Sequence, residues 1–355
     1  MILLYAALVL IGLRLAVLLV NLGSFPLLQP SLPRRKARVS ILLPARNEAH
    51  NLPKTLPWLL AQPAQEILLL DDRSSDPTAE VARQLARHDP RFRLLRGEEL
   101  PAGWKGKNWA CCQLAQAASG EVLIFTDADV VWKPGALEAV LAQLERTPGL
   151  LSVYPRQQVG SLAERVLVPL IDVVLLASLP YPLARSPFPL AAAANGQVMA
   201  FTRPAYQACG GHRAVRGEVL EDVRLAQRIK RARQPFALAL GGSLIEARMY
   251  RSYAEIQEGF GKNLGAFHGE NPLLLLLSAL VHLLVYTAPW LLLSADGGWL
   301  WVGVMGMLER LLVNLKTGRE LWEAVLVPLA PVMSLPIYLR AWRKTYTWKG
   351  RKYAR

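Results

Sequence analysis

The sequence predicts an α/β protein, a mostly parallel sheet with helices on both faces, flanked at each end by apolar helices. Three observations carry this. Between Val39 and about Gly242, short apolar runs alternate with stretches of helical periodicity. The runs are apolar throughout instead of alternating, as strands covered on both faces are. Long apolar stretches lie outside this region, at Met1–Val20 and beyond Asn271.

Taken in order, "MILLYAALVLIGLRLAVLLV" (Met1–Val20) has the length of one span, and an anchor over residues 1–22 is expected. It lacks the basic start, short apolar core and small-residue cleavage site of a signal peptide. Arg14 interrupts it and must snorkel, face another helix or lie along the surface. Arg34, Arg35, Lys36 and Arg38 follow, which puts the next domain on the cytoplasmic side. That domain is read as residues 36–268. "VSILLP" is a buried strand and "NLPKTLPWLL" a helix. "EILLLDD" is a strand, and "SDPTAEVARQLARH" opens with a capping signal and continues as a helix. "RFRLL", "NWACCQLAQAAS", "EVLIFTD" and "PGALEAVLAQLERT" repeat the alternation, the last with Pro near its first turn. "VLVPLIDVVLLASLPYPLA" (Val166–Ala184) is apolar, yet Pro169, Asp172 and two later prolines argue against a clean span. An interfacial helix, the wall of an acceptor groove and a core helix all suit it.

Residues 271–340 read as a C-terminal transmembrane region of two or three helices. Asn271–Leu293 is a strong span, Trp299–Leu315 is interrupted by Glu309 and Arg310, and Leu321–Leu339 contains three prolines. Residues 341–355 form a basic tail that belongs in the cytoplasm. A multi-pass protein of the cell membrane is therefore expected, with three or four spans.

The chain has 355 residues, a net charge of +14 and 52% hydrophobic residues. A basic balance suits nucleic acid, anionic lipid or phosphate-bearing substrates. No zinc-finger spacing or RNP-like aromatic motif is present, so no nucleic-acid partner is expected, and the apolar ends favour membrane lipids. The three cysteines make no framework of paired spacings and suit a reducing compartment.

The chemistry is concentrated at strand ends. "PARNE" (Pro44–Glu48), "DDRSSD" (Asp71–Asp76) and "DAD" (Asp127–Asp129) each end a predicted strand, and ligands of parallel sheets bind beyond such ends. Asp127 and Asp129 stand one residue apart and repel unless a cation lies between them. Mg²⁺ takes one or two protein carboxylates and fills its remaining positions with water and phosphate oxygens. The plainer alternative is a turn with a helix-capping Asp. Neither GxGxxG after the first strand nor GxxxxGK[ST] occurs, so dinucleotide and P-loop readings have no support.

"VSILLPARNEAHNL", "LLLDDRSSDPT", "GWKGKNWA", "FTDADV" and "GEVLEDVRLAQRIKRA", in this order, resemble the family 2 glycosyltransferases over Val39 to about Ala232. "GWKGKNWA" and the basic "TWKGRKY" tail are most similar to the bacterial carotenoid and hopanoid-associated members. The resemblance implies a GT-A fold, a UDP-sugar donor, a divalent metal (Mg²⁺ or Mn²⁺) and inversion at the anomeric carbon. It places Pro44, Ala45, Asn47 and Glu48 at the nucleoside and Asp72 at the uracil. It sets Asp127 near the ribose and metal-bound diphosphate, and makes Asp129 the direct metal ligand. Lys107 is a candidate phosphate contact, with a solvated loop lysine as the alternative. Asp222 is the expected base for the acceptor hydroxyl, and Glu221 caps the helix or orients the acceptor. Two acids at a helix start also simply favour its dipole. Arg228, Lys230, Arg231 and Arg233 form a basic helix end that suits solvent or lipid headgroups.

Polymerising members carry a Q/RxxRW motif, where this chain has "RMYRSYAEIQEGFGKN" (Arg248–Asn263). The expected function is thus transfer of one sugar, glucose by preference, to a lipophilic acceptor such as a carotenoid or other lipid hydroxyl or carboxyl group. The alternatives are a processive polysaccharide synthase, a polyprenyl-phosphate sugar transferase, or a silent scaffold, which would have lost the acids that are present here.

Overall fold

The apolar runs form strands β1 (Val39–Ala45), β2 (Glu66–Asp71), β3 (Phe92–Arg96), β4 (Val122–Thr126), β5 (Leu150–Tyr154), β6 (Val198–Thr202) and β7 (Phe236–Leu240). In this computed structural model, which describes residues 1–343 and 345–354, they make one sheet in the order β3-β2-β1-β4-β6-β5-β7. β1 to β4 run parallel, and β7 runs parallel to β5. β6 is antiparallel to both β4 and β5. The sheet is therefore mostly parallel, as predicted, with one reversed strand that local patterning does not announce.

Register explains the apolar runs. Ile41 pairs with Ile67 on one side and Ile124 on the other, and all three are fully buried. With helices on both faces, no position of such a strand meets water, so alternation has no purpose. Ala45 pairs with Asp71, and β4 ends at Thr126 beside β1, so the three polar strand ends share one rim. After β4 a short strand, Val130–Trp132, pairs antiparallel with Ile245–Ala247. Trp132 is fully buried and its Nε1 donates to Thr126 Oγ1 at 3.0 Å, which ties this excursion to the strand that delivers the aspartates. Gly135 then turns the chain at φ 80° into the helix Ala136–Arg146. A side chain there would meet the left-handed penalty that glycine escapes.

These elements belong to a unit of Phe25–Arg156 and Leu183–Arg248. A second unit comprises Met1–Ser24, Gln157–Pro182 and Met249–Arg355, a division that differs from the boundaries at 36 and 268 read from hydropathy. Its helices include Ile2–Ser24, Tyr253–Phe267, Pro272–Tyr286, Gly298–Thr317 and Leu329–Ala341. Among the described residues, only Ile2–Ser24 is by itself long and apolar enough to cross a membrane, with a mean hydropathy of 2.6. Asn271–Leu293 is not one uninterrupted helix. Asn271 caps Pro272–Tyr286, which stops before Thr287 and Pro289. Its 15 residues reach about 22 Å, short of the roughly 30 Å of a hydrocarbon core. It meets Tyr253–Phe267 at a bend of 116°. Val166–Ala184 is likewise not one helix. Leu162–Leu167 and Leu170–Ser178 are separated at Pro169, and Val166, Leu167 and Val168 pack into a buried cluster with Tyr250, Ile256, Ala330 and Ile337.

The charges that interrupt the apolar stretches find one another. Arg14 Nε lies 2.8 Å from Glu309 Oε1 and its guanidinium also donates to Ser178 Oγ at 3.0 Å. Glu309 accepts from Tyr286. Asp172 pairs with Arg319 at 3.1 Å, and Glu323 with Arg165 at 2.6 Å. The basic tail forms a two-stranded hairpin, Thr345–Trp348 with Arg351–Ala354. Lys344 and Arg355 of that tail lie outside the described residues.

Candidate active site

The rim loops after β1 and β2 are fastened to each other. Asn47 adopts φ 55° and Arg73 φ 55°, both left-handed. The Asn47 amide donates to Ser74 Oγ at 2.9 Å and its side-chain oxygen accepts from the Ser75 amide at 2.8 Å. The amides of Glu48 and Ala49 donate to Thr78 Oγ1 and Asp76. Arg46 donates to the carbonyls of Asp72 and Arg73. These crosslinks hold two residues in a conformation that non-glycine side chains seldom adopt. Pro44 is half-buried at the end of β1, Ala45 is buried in the core with its carbonyl on the Asp72 amide, and Asp72 is buried.

The remaining acids gather around one turn, Asn195-Gly196-Gln197, which precedes β6. Lys107, near the start of the helix Gly106–Ala117, reaches Asp127 at 2.8 Å, Glu221 at 3.4 Å and the Gly196 carbonyl at 3.2 Å. Asp222 accepts the Gly196 amide at 2.8 Å through one oxygen and the Val223 amide at 2.8 Å through the other. Gln197 Nε2 stands 3.4 Å from both oxygens of Asp129, and its carbonyl accepts the Asp127 amide at 3.0 Å. The turn itself is clamped by Ser152, which accepts the Asn195 amide at 2.8 Å. Gly196 stands in a tight spot. A Cβ there would lie 3.2 Å from Lys107 Nζ, 3.3 Å from Glu221 Oε1 and 3.5 Å from Asp222 Cβ.

Two acid pairs from distant segments thus share one ammonium. Burial opposes the charge on Lys107, but Asp127 and Glu221 hold it well above the ordinary lysine range. Burial, Asp127 and Glu48 push Asp129 up to about 7, with Lys107 and Gln197 acting the other way. Burial and Glu221 push Asp222 up to about 7, against the Val223 amide, Lys107 and the Gly196 amide. Perturbed carboxyls in facing pairs are a mark of functional sites. Among the described residues no three His, Cys, Asp or Glu form a ready ligand set. The Asp127/Asp129 pair nevertheless fits a hard divalent cation. It offers carboxylate oxygens, burial and Asp127 raise Asp129 for want of positive charge, and a two-carboxylate site leaves positions for phosphate oxygens and water.

The structure therefore brings Lys107, Asp127, Asp129, Glu221 and Asp222 into one constellation, with Glu48 close enough to act on Asp129. Pro44, Ala45, Asn47 and Asp72 stand on the neighbouring rim loops. Gly196 and Gln197 were not among the residues read from the sequence. The Asn-Gly pair in "AAAANGQ" is a turn signal that flags them.

Sheet order, rim and paired acids together define the GT-A class of nucleotide-sugar-dependent folds. The chain superimposes on a mannosyltransferase from Pyrobaculum calidifontis, solved in complex with GDP-Man and Mn²⁺, with a TM-score of 0.56 and 18% identity, covering 96% of this chain and 98% of that one. Residues 40–169 match the model of glycosyl transferase family 2. The chain is 28% identical over 237 residues to the 4,4'-diaponeurosporenoate glycosyltransferase of Staphylococcus haemolyticus, which is 64% of this chain and 60% of that relative's length. It is 29% identical over 113 residues to the glycosyltransferase AglD of Haloferax volcanii, 30% of this chain and 18% of that one. Residues 40–169 are thus similar to the family 2 glycosyltransferases, and the chain spans 60% of the length of the staphylococcal relative.

Proposed function

We propose that this protein transfers one hexose, glucose in the first instance, from a UDP-sugar to a lipophilic acceptor of the carotenoid type, with inversion at the anomeric carbon. The observation that carries this is the meeting of Asp127/Asp129 and Glu221/Asp222 around Lys107 and Gly196. One pair suits the diphosphate and the other the acceptor. The name of the staphylococcal relative, a glycosyltransferase of a carotenoid-related acid, supports this acceptor class.

Asp129, with Asp127, would hold Mg²⁺ or Mn²⁺. A divalent cation there neutralises the charge that develops on the diphosphate as its bond to the sugar breaks. Pro44, Ala45, Asn47, Glu48 and Asp72 line the nucleoside side. Lys107 supplies a fixed ammonium between the two pairs. Asp222 takes the proton of the acceptor hydroxyl as the new bond to the anomeric carbon forms and the old bond to the diphosphate breaks from the opposite face. A carboxyl acceptor arrives already ionised and needs no base. Glu221 keeps Asp222 basic and balances Lys107. The amides of Gly196 and Val223 fix the Asp222 carboxylate without consuming all of its acceptor capacity.

The enzyme is membrane-bound in this reading. Ile2–Ser24 anchors it, and Pro272–Tyr286, Gly298–Thr317 and Leu329–Ala341 complete a multi-pass region. Exposed Leu273, Leu277, Leu300 and Trp301 support this. The basic run after the anchor favours a cytoplasmic catalytic domain. The test is incubation of purified protein with labelled UDP- and GDP-sugars, Mn²⁺ and carotenoid or host lipid, followed by mass spectrometry. A donor- and metal-dependent lipid glycoside is expected. A polymer ladder, or no lipid product with any donor, overturns the reading.

A further inference from the structure

The turn that carries Gly196 and Gln197 follows an unusual segment, "RSPFPLAAAA" (Arg185–Ala194). Pro187 and Pro189 stiffen it, and a 3₁₀ turn spans Pro189–Ala191. Its two largest side chains point outward, with Phe188 65% and Leu190 92% exposed. Nothing in the loop's own core explains them. The loop is pinned from beneath by Lys230, whose buried Nζ donates to the carbonyls of Phe188 at 3.2 Å and Ala191 at 2.7 Å. Lys230 belongs to the helix Glu221–Arg231, which begins with the two acids of the site. Arg231 and Arg233, next to Lys230 in sequence, are exposed.

Charge in this region is mostly positive. Residues 183–245 contain nine Lys or Arg against three acids, Glu218, Glu221 and Asp222, and Glu218 is paired with Arg224. Apolar side chains at a stiff tip with arginines behind them are complementary to an anionic bilayer, whose headgroups attract the cations and whose acyl boundary accepts the apolar groups. An acidic protein would match the charge but leaves the protruding Phe188 and Leu190 without a reason.

We infer that the Phe188–Leu190 tip and the Arg231/Arg233 ridge form a membrane-contact wedge of the catalytic unit itself, one that takes an anionic lipid surface. The inference goes beyond the proposed transfer and does not depend on which sugar or acceptor is used. The chain runs on from Leu190 to Gly196, whose amide donates to Asp222. Lys230 is the positioning residue that keeps the tip raised.

The test uses the full chain in lipid nanodiscs. Leu190→Cys carries an environment-sensitive fluorophore, and the native Cys111, Cys112 and Cys209 are buried. Arg87→Cys is the reference. Arg87 is exposed near β3, at the sheet edge opposite β7. In discs with about one-third phosphatidylglycerol, a blue-shifted emission quenched by acyl-chain doxyl lipid is expected at position 190 and not at 87. Phosphatidylcholine discs and high salt should weaken the quenching. Arg231→Gln with Arg233→Gln should lower the inserted population on the order of tenfold. Water-like, unquenched emission at position 190 in anionic discs, the same as at 87, overturns the inference and leaves an acidic protein as the occupant. Thermal melting of the labelled protein, read separately, establishes that the variant is folded. The readout requires no transfer, so failure of the wedge and failure of the proposed reaction are distinguished.

Discussion

The shared ammonium of the site makes a prediction with two opposite signs. In the proposed reaction Asp222 is the base and works only when ionised, so transfer should rise as pH climbs through its pKa and be lost below it. Burial and Glu221 bring that pKa up to about 7. The wild-type enzyme should therefore show an acid limb near pH 7, where an ordinary Asp would place it near 4. Lys107 Nζ, Glu221 Oε1 and Asp222 Cβ all lie within 3.5 Å of the point a Cβ on Gly196 would occupy. They are thus within about 7 Å of one another, where a unit charge at an effective dielectric of about 20–40 is worth about 1.2–2.4 kcal/mol. That moves a titration by about one to two pH units. Glu221→Gln removes a negative neighbour and should move the acid limb down by this amount. Lys107→Met removes a positive neighbour and should move it up. The assay is kcat/KM for the donor against pH, which reports the free enzyme, with a hydroxyl acceptor. If the two variants move the limb in the same direction, or not at all, Asp222 is not the group being titrated. Stability provides a companion measurement. The native protein retains a proton on Asp222 that the unfolded chain releases between about pH 4 and 7, so this group lowers stability as pH rises through that window. Asp222→Asn should flatten that dependence.

Other substitutions separate the roles. Asp129→Asn should weaken Mn²⁺-dependent donor binding, read by calorimetry, by about 10- to 100-fold, since a carboxylate ligand contributes on the order of a few kcal/mol. Asp222→Asn should leave donor binding unchanged and remove transfer to a hydroxyl, and retained transfer would disqualify it as the base. Gly196→Ala crowds Lys107, Glu221 and Asp222 together, and kcat should drop by about 10- to 100-fold with the fold intact by thermal melting. Asp172→Ala strands the buried Arg319 and should cost about 3–5 kcal/mol in unfolding measurements in detergent, with donor binding to the remaining folded protein unaffected.

Much of the catalytic fold is legible in the sequence because buried strands and their polar ends are local signals. Residues Pro44–Glu48, Asp71–Asp76 and Asp127–Asp129 are adjacent to the apolar runs that carry them, and parallel topology alone brings them to one rim. The reversed β6 was not legible, since an apolar strand reads the same in either direction. The apolar end segments were legible as hydropathy but not as architecture. Arg14 looks like a defect in one apolar stretch, and Glu309 and Arg310 in another. In the structure Arg14 and Glu309 satisfy each other across 295 positions, a pairing with no local trace.

Gly196 escaped for a different reason, and it bears on how the site works. What it contributes is backbone, an amide for Asp222 and a carbonyl for Lys107. Every residue carries these groups, so composition cannot single them out. A glycine suits the spot, since a Cβ would press on Lys107 Nζ and Glu221 Oε1 at 3.2 and 3.3 Å. Two like-charged pairs on separate segments cannot meet closely unless positive groups and oriented dipoles stand between them. Here one lysine and one turn serve both pairs. Coupling between the diphosphate side and the acceptor side therefore follows from the same contacts. A cation at Asp127/Asp129 competes for the carboxylate that engages Lys107, which frees the ammonium toward Glu221 and lowers the proton affinity of Asp222. Donor binding in this arrangement makes Asp222 ready to accept a proton, so the acid limb of transfer should lie at lower pH in the donor- and metal-bound enzyme than the Asp222 titration followed by NMR in the free protein. Coincident values would break that link.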